Sequence, residues 1–386
     1  MRYRYSAGAD GKLEKKAVIY TCDEHGINFA DVDSEAVNII RKLKSAGYDA
    51  YIVGGAVRDL ILGKKPKDFD IVSSASPTRI KKIFRNSRVI GRRFRLVHVY
   101  FTQRVFEVST FRSLRDGHTS NTFGTIEEDA QRRDFSLNAL YYDPEQQIVI
   151  DYVGGMDDIR KKQIKPIISL SEIFTDDPVR MIRAAKYAAK SDFSIPMNLK
   201  RKIASQSNLL SSISPSRLTE EIFKIINTEK TDVIVDLLDK MGLYAYIQPQ
   251  ASALMKKDAN FRKCYLQTMS ALKGEASPRG QALGSLFSDY LETTAQWKPG
   301  SIENFKEIFK TVRSFLLPIN PPRFELEYAL KKFLSSHGIT VKKLHPASAA
   351  HSSHLPSKHI SEGEGAKRKR KRRRRKKTQL QSTVKA

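Results

Sequence analysis

Ala50-Tyr51-Ile52-Val53-Gly54-Gly55-Ala56-Val57-Arg58-Asp59-Leu60-Ile61-Leu62-Gly63, followed by Asp68-Phe69-Asp70-Ile71-Val72, is the stretch from which the fold can be read. The apolar run Ala50 to Val53 has the character of a buried strand, and the run that closes on Gly63 reads as a short helix with a glycine stop. Two residues without side chains at such a strand-to-helix junction let backbone N–H groups approach a phosphate, where the helix dipole also favours negative charge. Arg58, one turn in, could add a charged donor. Alone, a Gly-Gly turn is more often mere geometry. The acids that follow give it meaning. Period-two alternation puts the carboxylates of Asp68 and Asp70 on one face of the next strand and Phe69 on the other, toward the core. Such a pair by itself describes a solvent-facing strand edge. After a glycine turn it describes two acids sharing one small site, where hard oxygen ligands suit Mg²⁺ bound jointly with substrate phosphates.

Outward from this centre, Leu96 to Phe101 and Arg104 to Val108 add further β-rich runs between helical stretches, whereas from about Asp157 the apolar spacing is helical, clearest in Asp232 to Leu238 and Phe305 to Phe309. The expected class is α+β. Residues 1–32 are read as an N-terminal extension, 33–155 as the head, 156–230 as a helical neck, 231–336 as a helical body, and 337–386 as a disordered linker and basic tail.

The whole chain is basic. Its 386 residues carry 68 Lys plus Arg against 42 Asp plus Glu, a formal charge of +26. Eleven consecutive Lys or Arg, Lys367 to Lys377, account for part of this, and about +15 remains on the rest, consistent with a polyanionic partner. The basic run reads either as a solvated charge block or as an arm that holds RNA through its phosphates. A nuclear import signal would have the same composition. No window approaches the run of about 18 apolar residues that a membrane helix requires. The N-terminus lacks the apolar core of a secretory signal, and the two cysteines, Cys22 and Cys264, cannot form a disulfide framework, so a cytoplasmic setting is expected.

A third carboxylate would complete a two-metal centre. Glu107 is one candidate, mid-strand among Val105, Phe106 and Val108, and it reads equally as an outward-facing residue of a half-exposed strand. Asp134 is the other, in Arg132-Arg133-Asp134-Phe135-Ser136-Leu137-Asn138. There Arg132 and Arg133 could clamp a triphosphate and Asn138 could bond a ribose hydroxyl. The plainer reading is an N-capped helix with a basic first turn, although arginines oppose the dipole there and so favour a bound anion.

These blocks, together with Asp176-Asp177-x-x-Arg180, resemble the class II template-independent RNA nucleotidyltransferases, the family of the tRNA CCA-adding enzymes and the bacterial poly(A) polymerases. The likeness runs from about Tyr20 to Asn227 and fades through the helical C-terminal half. Gly63 to Asp70, Gly91 to Val99 and Gly124 to Phe135 look like the poly(A) polymerase branch, as does the basic tail. The resemblance implies a five-stranded nucleotidyltransferase palm, helical neck and body domains, and reaction of ATP with an RNA 3′ end. It further implies Asp68 and Asp70 as metal ligands, Asp134 as an active-site acid, and Glu107 as a residue near the metals. Two departures stand out: Ser113 to Asn121 is short for a primer-handling loop, and Lys186 stands where many relatives have an Arg.

Thr175-Asp176-Asp177-Pro178-Val179-Arg180-Met181-Ile182-Arg183 reads as a helix capped by Thr175, with Asp177, Arg180 and Arg183 along one face. An ordinary surface ion pair would give the same pattern. Beside a nucleotide site the pair does more. A carboxylate accepts from an exocyclic amino group and an arginine donates to the adjacent ring nitrogen, which fits adenine and cytosine and leaves both groups unpaired against guanine or uracil. The leading expectation is an ATP-dependent, Mg²⁺-dependent adenylyltransferase acting on RNA 3′ ends. A CCA-adding enzyme is the closest alternative, and a non-catalytic RNA-binding protein on the same scaffold is a second. A P-loop ATPase is disfavoured, since no Gly-x-x-x-x-Gly-Lys-Ser/Thr run occurs.

Overall fold

A computed structural model describes residues 2–7, 13–91, 96–101, 104–113, 122–272, 279–294, 302–339 and 341. The basic run Lys367 to Lys377 lies outside the described residues, as do most of the expected linker and most of the Ser113 to Asn121 loop. Strands β1 (Arg2–Ala7), β2 (Leu13–Tyr20), β3 (Ala50–Val53), β4 (Asp70–Ser73), β5 (Ser87–Ile90), β6 (Leu96–Tyr100), β7 (Val105–Thr110), β8 (Leu140–Asp143) and β9 (Ile148–Asp151) form one sheet in the order β1-β2-β9-β8-β3-β4-β7-β6-β5. Every neighbouring pair is antiparallel except β4 and β7, which run parallel. The α+β class is as expected, but the sheet has nine strands rather than five. Residues 1–32 supply two of them, because the β1–β2 hairpin extends the sheet by pairing along β9.

Alternation along the central strands divides the core in two. Ile52 and Ile71 point into the larger cluster, which continues into the helical half, whereas Tyr51, Val53 and Val72 point into a smaller cluster on the opposite face. All four residues of β3 are buried, which explains why the strand reads as an unbroken apolar run. The helix Gly55–Ile61 leaves β3 through Gly54, and Gly63 terminates it with φ +67°. From Gly155 onward the described structure is helical apart from short connecting segments, and it includes Val179–Ser191, Pro215–Ile226, Thr231–Lys240, Ile302–Leu316 and Arg323–Ser336. No helix among the described residues is long and apolar enough to cross a membrane.

The sheet hands over to these helices at Asp151, the last residue of β9. Its Oδ1 accepts from the backbone N–H of Val153, Gly154 and Gly155 at 3.0, 2.8 and 3.0 Å, and its Oδ2 accepts from Met156 N at 3.0 Å. One buried carboxylate thereby satisfies the orphan donors at the start of the helix Gly155–Arg160. That helix then lies so close to the turn Ser136–Asn138 that a Cβ on Gly155 would stand 2.3 Å from the Ser136 carbonyl oxygen. Replacing Asp151 by Ala strands those donors, and we expect urea denaturation to show a loss of about 2–3 kcal/mol, an effect of the size expected for broken buried hydrogen bonds.

Candidate active site

The C-terminal end of β3, the helix Val179–Ser191 and the helix Pro215–Ile226 wall a cleft of about 640 Å³. Ten Lys or Arg side chains line it against four Asp, so it is shaped for an anion. At its floor Gly54 adopts φ +78° and ψ −137°, a conformation that side-chain-bearing residues avoid. A Cβ at Gly54 would also lie 3.6 Å from Asp70 Oδ2. The glycine turn and the acid predicted to work together are therefore in contact.

Asp70 opens β4, while Phe69 is buried as the alternation required. The parallel register pairs Ile71 with Val108, so the preceding step sets Asp70 beside Glu107 on β7. Glu107 itself is exposed and its Oε1 lies 3.3 Å from His98 Nε2. Asp70 accepts no hydrogen bond among the described residues. Its carboxyl is pushed up to about 6, chiefly by removal from bulk water, then by the Glu107 and Asp68 carboxylates, which outweigh the pull of Arg133 and Lys224. A crowded acid corner inside a basic cleft is a place where a divalent cation would be welcome. No three His, Cys, Asp or Glu side chains among the described residues are grouped to hold a metal unaided. Two carboxylates plus substrate phosphates is nevertheless the mode that Mg²⁺ commonly uses, so the residues present fit that ion.

The arginine block is held by a partner the sequence reading missed. Asp129, on the helix Ile126–Gln131, accepts from Arg133 Nη2 at 2.9 Å and from the Tyr141 hydroxyl at 2.8 Å. Tyr141 and Asp129 together raise the Arg133 guanidinium despite its burial, so it stays charged at any working pH. Arg132 differs: burial, and then the neighbouring Arg112, lower it to about 10. An anion in the cleft would relieve that cost. Asp134 accepts from Phe135 N at 2.9 Å and stands 3.6 Å from Arg183.

Arg58 departs from expectation. Although it borders the cleft, its guanidinium is 2% exposed and is taken up by protein partners, donating to Asp59 Oδ1 from Nε and Nη2 (2.9 and 2.7 Å) and to Asn138 Oδ1 from Nη1 (2.7 Å). It sits behind the turn because Asp59, the next residue, captures it.

The neck also differs in detail. Thr175 does not cap the helix. It lies within a short helix, Ile173–Asp176, and the chain extends at Asp177 (φ −148°) before Pro178 starts Val179–Ser191. Pro178 lacks an N–H and suits the beginning of a helix, so the break falls there. Asp177 and Arg180 are accordingly not paired with each other. Asp177 accepts from Val179 N at 3.1 Å and Arg217 Nη2 at 2.6 Å, while Arg180 donates to Asp176 and to the Ile173 carbonyl. Both residues line the cleft, as does Arg183. Glu221, also missed, accepts from Arg183, Lys186 and Lys224 at 3.0, 3.2 and 3.2 Å. Burial alone would raise its carboxyl, yet these three cations hold it near 2. Lys186 thus has a structural partner and is buried. Arg217, Glu221 and Lys224 recur at helical spacing, and an acid that falls among the apolar positions Leu218, Ile222 and Ile225 of an amphipathic helix, flanked by cations, is the signal that could have found Glu221.

Sheet, glycine turn and acid corner form one unit, and this part of the chain is similar to known nucleotidyltransferases. Residues 50–165 match the family described as the poly A polymerase head domain, and residues 192–255 match one described as a probable RNA and SrmB-binding site of polymerase A. The chain is 44% identical over 220 residues to poly(A) polymerase I of Salmonella typhi, covering 53% of this chain and 47% of that one. It is 38% identical over 259 residues to poly(A) polymerase I of Haemophilus influenzae (62% and 56% covered) and 35% identical over 236 residues to the CCA-adding enzyme of Geobacillus kaustophilus (59% and 58% covered). It therefore spans about half the length of the curated relatives it matches. Among solved structures, the Bacillus stearothermophilus CCA-adding enzyme in complex with CTP superposes with a TM-score of 0.55 at 27% identity, over 80% of this chain and 83% of that one. The resemblance read from the motifs is borne out: the relatives are bacterial poly(A) polymerases, with CCA-adding enzymes next to them.

The acid corner makes a stability prediction. The folded Asp70 carboxyl takes its proton nearer pH 6 than the usual 3.8, so the fold loses stability as pH rises through that window. Without divalent cations, Asp70→Asn is expected to raise Tm above about pH 6.5 and to leave it unchanged below about pH 4, read by thermal melts across that range.

Proposed function

We propose that this chain is a template-independent polynucleotide adenylyltransferase that adds AMP from ATP to RNA 3′ ends. The observation that carries the reading is the contact of the Gly54 turn with Asp70 at the floor of a strongly basic cleft, within a stretch similar to poly(A) polymerase heads. The triphosphate lies against the N–H groups of the Gly54–Gly55 turn and the arginines, with Arg132 gaining from it because burial and the neighbouring Arg112 disfavour its charge. Asp68 and Asp70 would hold Mg²⁺, which when bound would supply Lewis-acid stabilisation of phosphate charge and lower the pKa of a bound hydroxyl.

The RNA 3′ oxygen attacks the α-phosphorus in line. One P–O bond forms, the bond to the β-phosphate breaks, the hydroxyl proton passes to solvent, and pyrophosphate leaves into the field of Arg132, Arg133 and Arg183. Glu107, beside Asp70, is the third acid of the corner; Asp134 anchors Arg183. Asp177 accepts from the adenine amino group and Arg180 donates to its ring nitrogen, each already oriented by its own partner, Arg217 or Asp176. The helical half and the basic tail hold RNA backbone without reading sequence.

The pair Asp177 and Arg180 does not separate adenine from cytosine, and similarity to CCA-adding enzymes keeps that activity as the second reading. Purified protein with Mg²⁺ and a labelled generic RNA is expected to make long A-only tails from ATP and nothing from CTP. Addition of C then a single A, confined to a tRNA lacking its CCA end, would overturn the assignment; RNA binding without incorporation would mean a scaffold. Asp70→Ala is expected to lower incorporation at least about 100-fold, the scale of losing one transition-state contact. In the same assay Asp177→Ala should admit GTP and UTP, narrowing the preference for ATP by about 10-fold or more.

A further inference from the structure

Asp59, which captures Arg58, is the hub of a buried network that reaches the cleft at Asn138. Its Oδ1 accepts two hydrogen bonds from the Arg58 guanidinium, at 2.9 and 2.7 Å, and its Oδ2 accepts from Lys190 Nζ at 2.9 Å. Arg58, pinned on that side and lying over the ring of Tyr187, uses its remaining arm to donate to Asn138 Oδ1 at 2.7 Å. An amide whose oxygen is held in this way has no freedom to flip, because the reverse orientation would set its NH₂ against a guanidinium that has only donors. Asn138 therefore keeps Nδ2 on its other side. Asn138 lines the cleft, and among the described residues Nδ2 finds no acceptor. The residue is 7% exposed and held by Arg58, so a ligand oxygen that meets Nδ2 finds a donor already ordered.

We propose that Asp59, acting through Arg58, is a positioning residue that fixes the Asn138 amide as a donor to the ribose 2′-hydroxyl of the incoming nucleotide, and so sets the preference for ribo- over deoxyribonucleotides. The proposal rests on the cleft binding a nucleoside triphosphate, as above. The site faces the incoming nucleotide because Asn138 lies among the phosphate-side groups: its own carbonyl accepts from Arg133 Nη1 at 3.4 Å, and Arg133 reaches the Gly54 turn. Lys190 gives the network a second consequence. It belongs to the same helix as Arg180 and Arg183, so Asp59 ties the glycine-turn helix of the head to the helix that carries the base-reading residues.

The test compares ATP with 2′-deoxyATP for Asp59→Asn, Asp59→Glu and Asn138→Ala, using both incorporation kinetics and direct equilibrium binding of each nucleotide to the full chain, with Tm recorded for every variant. The expected result is that Asp59→Asn shrinks the ATP to 2′-deoxyATP ratio of kcat/KM, and of affinity, by about 10-fold, that Asp59→Glu restores most of it, and that Asn138→Ala abolishes it with no further loss in the double variant. A folded Asp59→Asn protein that loses activity on both nucleotides equally, with the ratio intact, would overturn the proposal and leave Asp59 a purely structural residue. Should no RNA be extended, the transferase reading fails; the binding ratio then still decides the network, since its collapse in Asp59→Asn supports the proposal and its persistence refutes it.

Discussion

A parallel register between two short strands brings Asp70 against Glu107, with Asp68 close by and the glycine turn directly behind. Repulsion among these carboxylates is built into the backbone, because the hydrogen-bond ladder between β4 and β7 fixes where each side chain starts. The surrounding wall has the opposite sign. A site that is acidic at its floor and basic along its sides is matched by a ligand carrying both charges in the right order, and in the proposed function that ligand is a magnesium-bound polyphosphate. The rest of the head maintains this separation of charge.

It does so through three buried acids. Asp129 fixes Arg133, Glu221 fixes Arg183 with Lys186 and Lys224, and Asp59 fixes Arg58. Long cationic side chains lose rotamer freedom when they order around an anion, and that loss opposes binding if it occurs at the moment of reaction. Here much of it is met during folding. Such pairs are weak evidence for stability, since desolvation offsets much of the attraction. Their effect is to hold donors still, and under the proposed reaction they do so where charge develops and electrostatic catalysis gains most.

The proposed selection of the base follows the same logic with a looser arrangement. Asp177 and Arg180 are held by separate partners on either side of the break at Pro178, so the two groups are oriented independently of one another. A local chemistry shared by adenine and cytosine is consistent with a chain similar both to poly(A) polymerases and to CCA-adding enzymes.

Much of the head was legible without coordinates. The buried strand Ala50–Val53, the glycine turn, the inward Phe69 and the outward Asp70 follow from alternation and from the absence of a side chain, properties each residue carries with it. The helix stop at Gly63 is of the same kind. The β1–β2 hairpin was not legible as part of the sheet, because its partner β9 lies more than a hundred residues away and pairing of backbone edges leaves no mark on residue type. The partners of the charged residues were hidden for a related reason. A flexible arginine reaches several neighbours, and only the packed helices decide that Arg58 turns back to Asp59, that Asp177 meets Arg217 rather than Arg180, and that Glu221 lies buried among three cations. Sequence determined which chemistry this chain possesses; tertiary packing decided which groups face the cleft and which hold the others in place, since long-range electrostatic contacts depend on distances that only the folded chain defines.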